Sequence, residues 1–260
     1  MRHRSGWVLI TAMSAGCAGS SGPAAEAQSA VEGESAASAD HANGHEAHEK
    51  AKRYLTPEES PGIIQSPVNI LTSEAQEGES LVKLHYGEAK ERTKNLGHTV
   101  QVSFAEQTNW VEVDGDKFEL LQFHFHTPSE HLVDGVTYPM EMHLVHKKVG
   151  SENQYLVIGV LFKEGAPSPL LESFLADVPE VEGETGPTGV LNLAGFTNPN
   201  AGFWAYRGSL TTPPYTETVR WYVSKKVHVA SPEQVEHIYR LEGDNARRIQ
   251  VFRGRRLLTN

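Results

Sequence analysis

The segment Leu120–Leu121–Gln122–Phe123–His124–Phe125–His126 limits what this chain can fold into more than any other. Apolar and polar residues alternate along it, and the side chains of a strand point to opposite faces with period two. Read as a strand, the segment puts Gln122, His124 and His126 on one face and Leu121, Phe123 and Phe125 on the other. A second run, Met140–Val149, repeats the pattern, with Glu141, His143 and Val145 on one face and Met142, Leu144 and His146 on the other. Two imidazoles two residues apart on a strand start roughly 7 Å from each other. That spacing suits two corners of a tetrahedral metal site if the rings lean together, and the third must come from a neighbouring strand. Pro128–Ser129–Glu130 and Asp134–Gly135 let the chain turn back so that His143 lies alongside. Gln122 and Glu141 each precede a histidine by two on the same face, where an acceptor for the second ring N–H of a metal-bound imidazole is needed. Two other readings stand beside this one. The carboxylate is itself a ligand, giving a His/His/Glu set, or the histidines form a hydrogen-bonded core pair.

The chain has 260 residues, room for one large domain with an extension. Its formal net charge of −10 argues against nucleic acid as a partner, because phosphate binding needs a basic footprint. The single cysteine, Cys17, rules out an intrachain disulfide and any CxxC metal or redox site. A bound metal would therefore be held through His, Asp or Glu.

The N-terminus reads as an export signal. Met1–Arg2–His3–Arg4 is basic, and an apolar run from Trp7 to about Gly16 is too short to span a bilayer. Ala15–Gly16–Cys17 resembles a bacterial lipobox, with Ser14 where that box usually carries Leu. Ala25–Glu26–Ala27 is an alternative cleavage site for soluble export. Residues 1–17 are expected to be a signal peptide of a protein of the periplasm or cell envelope, lipid-anchored at Cys17. Membrane contact would be through that anchor alone. Residues 18–52, rich in Ala, Ser, Gly, Glu and His, bury too little apolar surface to offset chain entropy and read as a disordered tether. His41, His45 and His48 within them read as solvated.

The folded domain is expected over 53–260. Thr56–Pro57–Glu58–Glu59 reads as a capped helical turn. Strands are expected at Leu81–Tyr86, Thr99–Phe104, Trp110–Val113, Leu120–His126, Met140–Val149, Tyr155–Phe162 and Val219–Ser224, with a hairpin turn at Asp114–Gly115. Tyr155–Phe162 is nearly continuous apolar sequence and should be central, covered on both faces. Ser168–Pro169 opens a helix ending near Asp177, and Ser231–Pro232–Glu233–Gln234 is a capping box for another running towards Arg240. Pro179 to Asn200 reads as a loop-rich stretch with no strand assigned. The fold class is mainly β with a few short α-helices, α+β, in a single domain.

Several runs resemble, in order, the signatures of the α-class carbonic anhydrases. They are Gln65–Ser66–Pro67–Val68–Asn69–Ile70, Asn95–Leu96–Gly97–His98, Gln122–Phe123–His124–Phe125–His126, Ser129–Glu130–His131, Glu141–Met142–His143–Leu144–Val145–His146, Gly208–Ser209–Leu210–Thr211–Thr212–Pro213–Pro214 and Asn245–Ala246–Arg247. The resemblance implies a large central, mostly antiparallel twisted sheet and a zinc lyase that reversibly hydrates carbon dioxide to bicarbonate and a proton, with esterase activity on the side. By similarity His124, His126 and His143 carry Zn²⁺. Gln122, Glu141 and the main-chain carbonyl of Asn245 hold those imidazoles, and zinc-bound hydroxide is the nucleophile. Thr211 would accept a hydrogen bond from the hydroxide and donate one to Glu130, while the Thr212 side chain and the Thr211 N–H help bind bicarbonate. Val145, Val157, Leu210, Val219 and Trp221 fall on the family's apolar wall for CO₂, and His98 on its proton-shuttle position. His131 and His146 are structural by resemblance. A monomer or homodimer is expected.

Two departures stand out. The family's opening Trp-x-Tyr segment has no clear counterpart around Tyr54–Ile63, which bears on the water path to His98. The disulfide common in exported bacterial relatives is also absent. Tyr215 stands near its second position, so the fold is expected to hold by its core and zinc site instead.

Overall fold

The computed structural model describes residues 62–78, 82–194, 196 and 199–260. The expected signal peptide, the tether, Tyr54 and the capped turn at Thr56–Pro57 lie outside the described residues. Sixteen strands and two α-helices form among those described. The first nine strands are β1 (Asn69–Ile70), β2 (Gln76–Glu77), β3 (Val82–His85), β4 (Glu88–Asn95), β5 (Val100–Phe104), β6 (Trp110–Val113), β7 (Asp116–His126), β8 (Leu132–Val133) and β9 (Val136–Thr137). Then come β10 (Met140–Lys148), β11 (Tyr155–Glu164), α1 (Pro169–Leu175), β12 (Thr185–Asn192), β13 (Phe203–Gly208), β14 (Val219–Ser224), β15 (His228–Ala230), α2 (Pro232–Glu242) and β16 (Leu258–Thr259).

One sheet dominates, in the order β12-β4-β5-β7-β10-β11-β14-β13-β16-β2, and β1, β8 and β9 make a separate small one. Pairing is antiparallel from β12 through to β11 and parallel where β11 meets β14. β11 is central and buried from Leu156 to Phe162, as its apolar run requires. Asp114 and Gly115 both take positive φ, 54° and 79°, in the two-residue hairpin between β6 and β7.

The two faces of the sheet build two cores. Phe118, Leu120, Phe123, Phe125, Met142, Leu144, Ile158 and Val160 pack with Leu171 and Phe174 of α1 and Ile238 and Leu241 of α2. Phe125 stacks on Phe174 with centroids 5.2 Å apart. The opposite face gathers Val145, Val157, Val219, Trp221 and Val223 with Val68 and Ile70. The face expected to hold Leu121, Phe123 and Phe125 is corrected at one position. Val145 pairs with Gln122 but His146 pairs with Leu120, so Leu121 is an extra residue in a β-bulge. The bulge resets the alternation, and Leu120 joins the aromatic core in place of the half-buried Leu121.

A second correction concerns Pro179 to Asn200. This stretch is not all loop, because β12 lies within it and pairs antiparallel with β4, itself not expected from the sequence. β4 buries Ala89, Glu91, Thr93 and Asn95, one small and three polar side chains, so its alternation does not show on a hydrophobicity reading. β12 is an edge strand, where Pro187 is tolerated and coincides with a shift in register.

Candidate metal centre

β7 and β10 lie antiparallel with His124 opposite His143 and His126 opposite Glu141. This register follows from the shared aromatic face, because slipping by one residue would turn every side chain to the other side. It brings three imidazoles together. Ring centroids are 5.0 Å apart for His124 and His126, 5.3 Å for His124 and His143, and 4.6 Å for His126 and His143. One ring nitrogen from each lies within 4.8 Å of the other two.

Two of the rings have acceptors from their own strands beside them. Gln122 Oε1 sits 2.9 Å from His124 Nδ1, which leaves Nε2 facing the centre. Glu141 Oε1 lies 3.0 Å from His143 Nε2, a close ionic contact that falls short of a hydrogen bond, and Nδ1 is left facing the centre. His126 is 3 % exposed, and neither of its ring nitrogens has a hydrogen-bond partner. The expected bond from the His126 ring to the Asn245 carbonyl does not close, although the main chain and amide of Asn245 lie close enough to act on the ring. A buried imidazole with both nitrogens unpaired costs about 1–3 kcal/mol for each group left unmet. A metal ligated at Nε2 removes part of that cost, so the residues present fit a metal ion.

A second set, His131, Glu141 and His143, also lies close enough to hold an ion, but Glu141 and His131 already satisfy each other. Glu141 accepts from the His131 main chain at 2.8 Å and from His131 Nδ1 at 2.7 Å. The other nitrogen of His131 meets the Tyr206 hydroxyl at 2.6 Å, and that hydroxyl reaches Ser66 Oγ at 3.0 Å. Glu141 is thus committed to orienting histidines, and of the alternatives open at the sequence the three-imidazole set is the one the geometry favours. Burial would raise the Glu141 carboxyl, but the charges of His131 and His143, with the His131 hydrogen bond, hold it well below its ordinary value.

Burial, followed by repulsion from His126 and His143, holds His124 well below the usual imidazole range. Burial also lowers His143, and it pushes His126 down to about 4 against the pull of Glu141 and Asn245. All three rings are therefore neutral at pH 7, the form that can ligate a metal. Glu130 lies beside them, with Oε2 3.5 Å from His126 Nε2 and 3.8 Å from His143 Nδ1. Its Oε1 accepts the Arg247 main-chain N–H at 2.9 Å. Burial pushes this carboxyl up to about 7, opposed by His143, by the Thr211 hydroxyl and by Arg247.

The model of the eukaryotic-type carbonic anhydrase family matches residues 51–260. The chain belongs to the carbonic anhydrase family. It is 35 % identical to a carbonic anhydrase of Neisseria gonorrhoeae, with 75 % of this chain and 77 % of the relative covered. It is 33 % identical to alpha carbonic anhydrase 3 of Arabidopsis thaliana, with 76 % of this chain and 75 % of the relative covered. Among solved structures, the α-carbonic anhydrase of Thermovibrio ammonificans in complex with the inhibitor sulfanilamide superposes with a TM-score of 0.74 at 36 % identity. That match covers 80 % of this chain and 94 % of the other.

Within this carbonic anhydrase domain the five expected wall residues come together. Val145, Val157, Val219 and Trp221 share one buried cluster, and Leu210 packs against it. The Trp221 ring meets the edges of His143 and His131 at 4.8 Å each, and its Nε1 is anchored on the Ser209 carbonyl at 3.0 Å. Thr211 is buried and Thr212 exposed. His98 is exposed on the turn between β4 and β5, where Asn245 Nδ2 donates to its carbonyl at 3.0 Å. His146 is buried between the Tyr86 hydroxyl at 2.7 Å and the Leu156 carbonyl at 3.1 Å, apart from the triad.

Sequence reasoning missed Gly159. It pairs with His143 on β11, and a Cβ there would come within 2.7 Å of Glu141 Oε1. The missing side chain is the space that the Glu141 carboxylate occupies. Tyr206 and Ser66 were missed as parts of the site as well. The signal for them was indirect, since a buried His131 needs partners on both nitrogens.

Around the domain's start, Glu217 accepts from the Ile64 N–H and from Gln65 Nε2, both at 2.8 Å. Arg247 Nη1 donates to Gln65 Oε1 at 3.0 Å and to the Ser66 carbonyl at 2.6 Å, and its guanidinium lies 3.7 Å over the Tyr215 ring. The fold therefore has more than its core and metal site in place of the missing disulfide. A charged clasp ties the same two regions together.

Proposed function

We propose that this chain catalyses the zinc-dependent, reversible hydration of carbon dioxide to bicarbonate and a proton. The observation that carries the reading is the buried three-imidazole cluster, with Gln122 bonded to His124, Glu141 in close contact with His143, and His126 left without partners. His124, His126 and His143 would hold the zinc, with Gln122, Glu141 and Asn245 behind them. Zinc in such a site supplies the Lewis acidity that makes a nucleophile of water at neutral pH.

The remaining residues have roles that follow from their own chemistry. Glu130 can accept the Thr211 hydroxyl proton, which leaves the Thr211 oxygen only able to accept. Thr211 then favours a neighbour that carries a hydrogen, and so fixes how the nucleophile is presented. CO₂ has no net charge or dipole, and the wall of Val145, Val157, Leu210, Val219 and Trp221 gives it an apolar surface beside the imidazoles. Thr212 and the Thr211 N–H offer donors to the bicarbonate product. His98, exposed on the turn between β4 and β5, is of a residue type suited to carry the released proton to solvent.

Metal analysis and CO₂ hydration kinetics on the purified chain test the proposal together. One zinc per chain and hydration lost in His126→Ala are the expected results. Stoichiometric zinc with no rate above the uncatalysed one would overturn the catalytic reading. We also infer export and lipid attachment at Cys17, supported by the basic start, the short apolar run and Ala15–Gly16–Cys17. Mass spectrometry of the mature N-terminus checks it, and an unmodified terminus after Ala27 would refute the anchor.

A further inference from the structure

The turn that carries His98 is fastened to the end of β7 by a buried polar cluster built around Glu242, a residue that the proposed reaction does not use. Glu242, the last residue of α2, is 5 % exposed. One of its carboxyl oxygens meets the Val100 N–H at 3.3 Å, and the other meets the Thr127 hydroxyl at 3.3 Å. Val100 is two residues past His98, and Thr127 directly follows His126. Asn245 runs alongside. Its Nδ2 donates to the carbonyls of His98 at 3.0 Å and Phe125 at 3.2 Å, and its Oδ1 accepts the Thr127 N–H at 3.1 Å. Thr99 Oγ1 adds a longer contact of 3.4 Å to the Phe125 carbonyl.

The proton count in this cluster is informative. The Thr127 hydroxyl has one proton and two acceptors in reach, the Gly243 carbonyl at 2.9 Å and Glu242 Oε1 at 3.3 Å. The carbonyl is the nearer and can only accept, whereas a protonated carboxyl can also donate, so both contacts close together when the hydroxyl proton goes to Gly243. The contact with Glu242 is then completed by a proton on the carboxyl, donated to Thr127 Oγ1, while the other carboxyl oxygen accepts from Val100. Burial acts the same way, pushing the Glu242 carboxyl up to about 8.

We infer that Glu242 is a positioning residue whose neutral carboxyl fixes the His98 turn against the end of β7 and so sets the reach of His98 from the metal centre. The inference rests on the reading of His98 as the proton relay. Glu242 touches neither substrate nor imidazole ligand, so its loss should slow proton exit and spare the chemical step.

The test compares zinc-loaded wild type with His98→Ala, Glu242→Leu and Glu242→Gln, assayed for CO₂ hydration in weak buffer and again with added imidazole. In weak buffer His98→Ala and Glu242→Leu should both lose kcat by about tenfold or more, as expected for impaired general acid–base transfer. Both should keep kcat/KM, which does not depend on proton exit, and both should recover with imidazole. Glu242→Gln keeps an acceptor for Val100 and a donor for Thr127, and should behave as wild type. Amide exchange of Val100 in zinc-free protein gives a second readout, faster in Glu242→Leu and unchanged in Glu242→Gln. If His98→Ala slows turnover and Glu242→Leu does not, the positioning role is wrong and the relay stands. If His98→Ala has no effect, the relay reading fails and this inference with it. A parallel loss of kcat and kcat/KM in Glu242→Leu would make Glu242 a support of the metal site and also overturn the inference.

Discussion

Gly159 acts through what it lacks. Its backbone runs beside the Glu141 carboxylate, and any side chain there pushes on an oxygen that holds both His131 and His143. Gly159→Ala should therefore weaken zinc binding by roughly 10–100-fold, the usual range for disturbing a group that orients a ligand. Competition with a chromophoric chelator measures this, and activity at saturating zinc should partly return. Glu242 predicts a pH effect on stability at the same scale. Its folded value of about 8 lies above the ordinary 4.5, so its contribution is fully present below pH 4.5 and is lost as pH rises through 8. Glu242→Gln carries no such loss. Urea unfolding of chelated protein should show the variant gaining on wild type between pH 5 and pH 9, by about 2–5 kcal/mol. The contrast between these residues and the histidines explains what the sequence makes legible. Gln122, His124 and His126 sit two apart on one strand, and a period of two displays them. Gly159, Tyr206 and Glu242 reach the site through pairing and packing across distant segments, and nothing in their local sequence points there.

At the scale of elements, β7 and β10 carry both the site and much of the core. Phe125, fully buried and stacked on Phe174, ties the histidine strand to α1 from behind. Phe125→Ala should cost about 3–5 kcal/mol of unfolding free energy, seen in urea titration, and should loosen zinc binding with it. The clasp at the domain's start can be probed separately. Tyr215→Ala removes the ring under Arg247 and should cost about 0.5–2 kcal/mol. The apolar strands β10, β11 and β14 were readable because burial on one or both faces writes itself into composition. β4 and β12 were not, since their pairing rests on polar and small side chains at the sheet edge. In β4 the buried Glu91 is met by Thr93 at 3.1 Å, a solution that looks like solvated sequence until the neighbouring strand is in place.

For the whole molecule, acid and alkali act through different groups. Burial pushes His146 and His228 down to about 4 in the folded state. A depressed imidazole contributes stability above its unfolded value near 6.5 and loses it as pH falls through 4. Glu242 works in the opposite sense, so the chelated domain should be most stable at about pH 6.5. A scan of melting temperature against pH checks this, and a maximum above pH 8 would show that other groups govern. With Cys17 the sole cysteine, dithiothreitol should leave the melting temperature unchanged.

The bulge at Leu121 separates β7 into two halves that answer to different partners. Both halves touch β10, but downstream of the bulge Gln122 to His124 pair also with β5, whereas upstream Asp116 to Glu119 pair with β6. Slack in the upstream half is absorbed before it reaches the imidazoles. The Asp114–Gly115 tip is accordingly a natural graft site, where a foreign peptide can be spliced into the loop while the catalytic geometry behind it stays in phase.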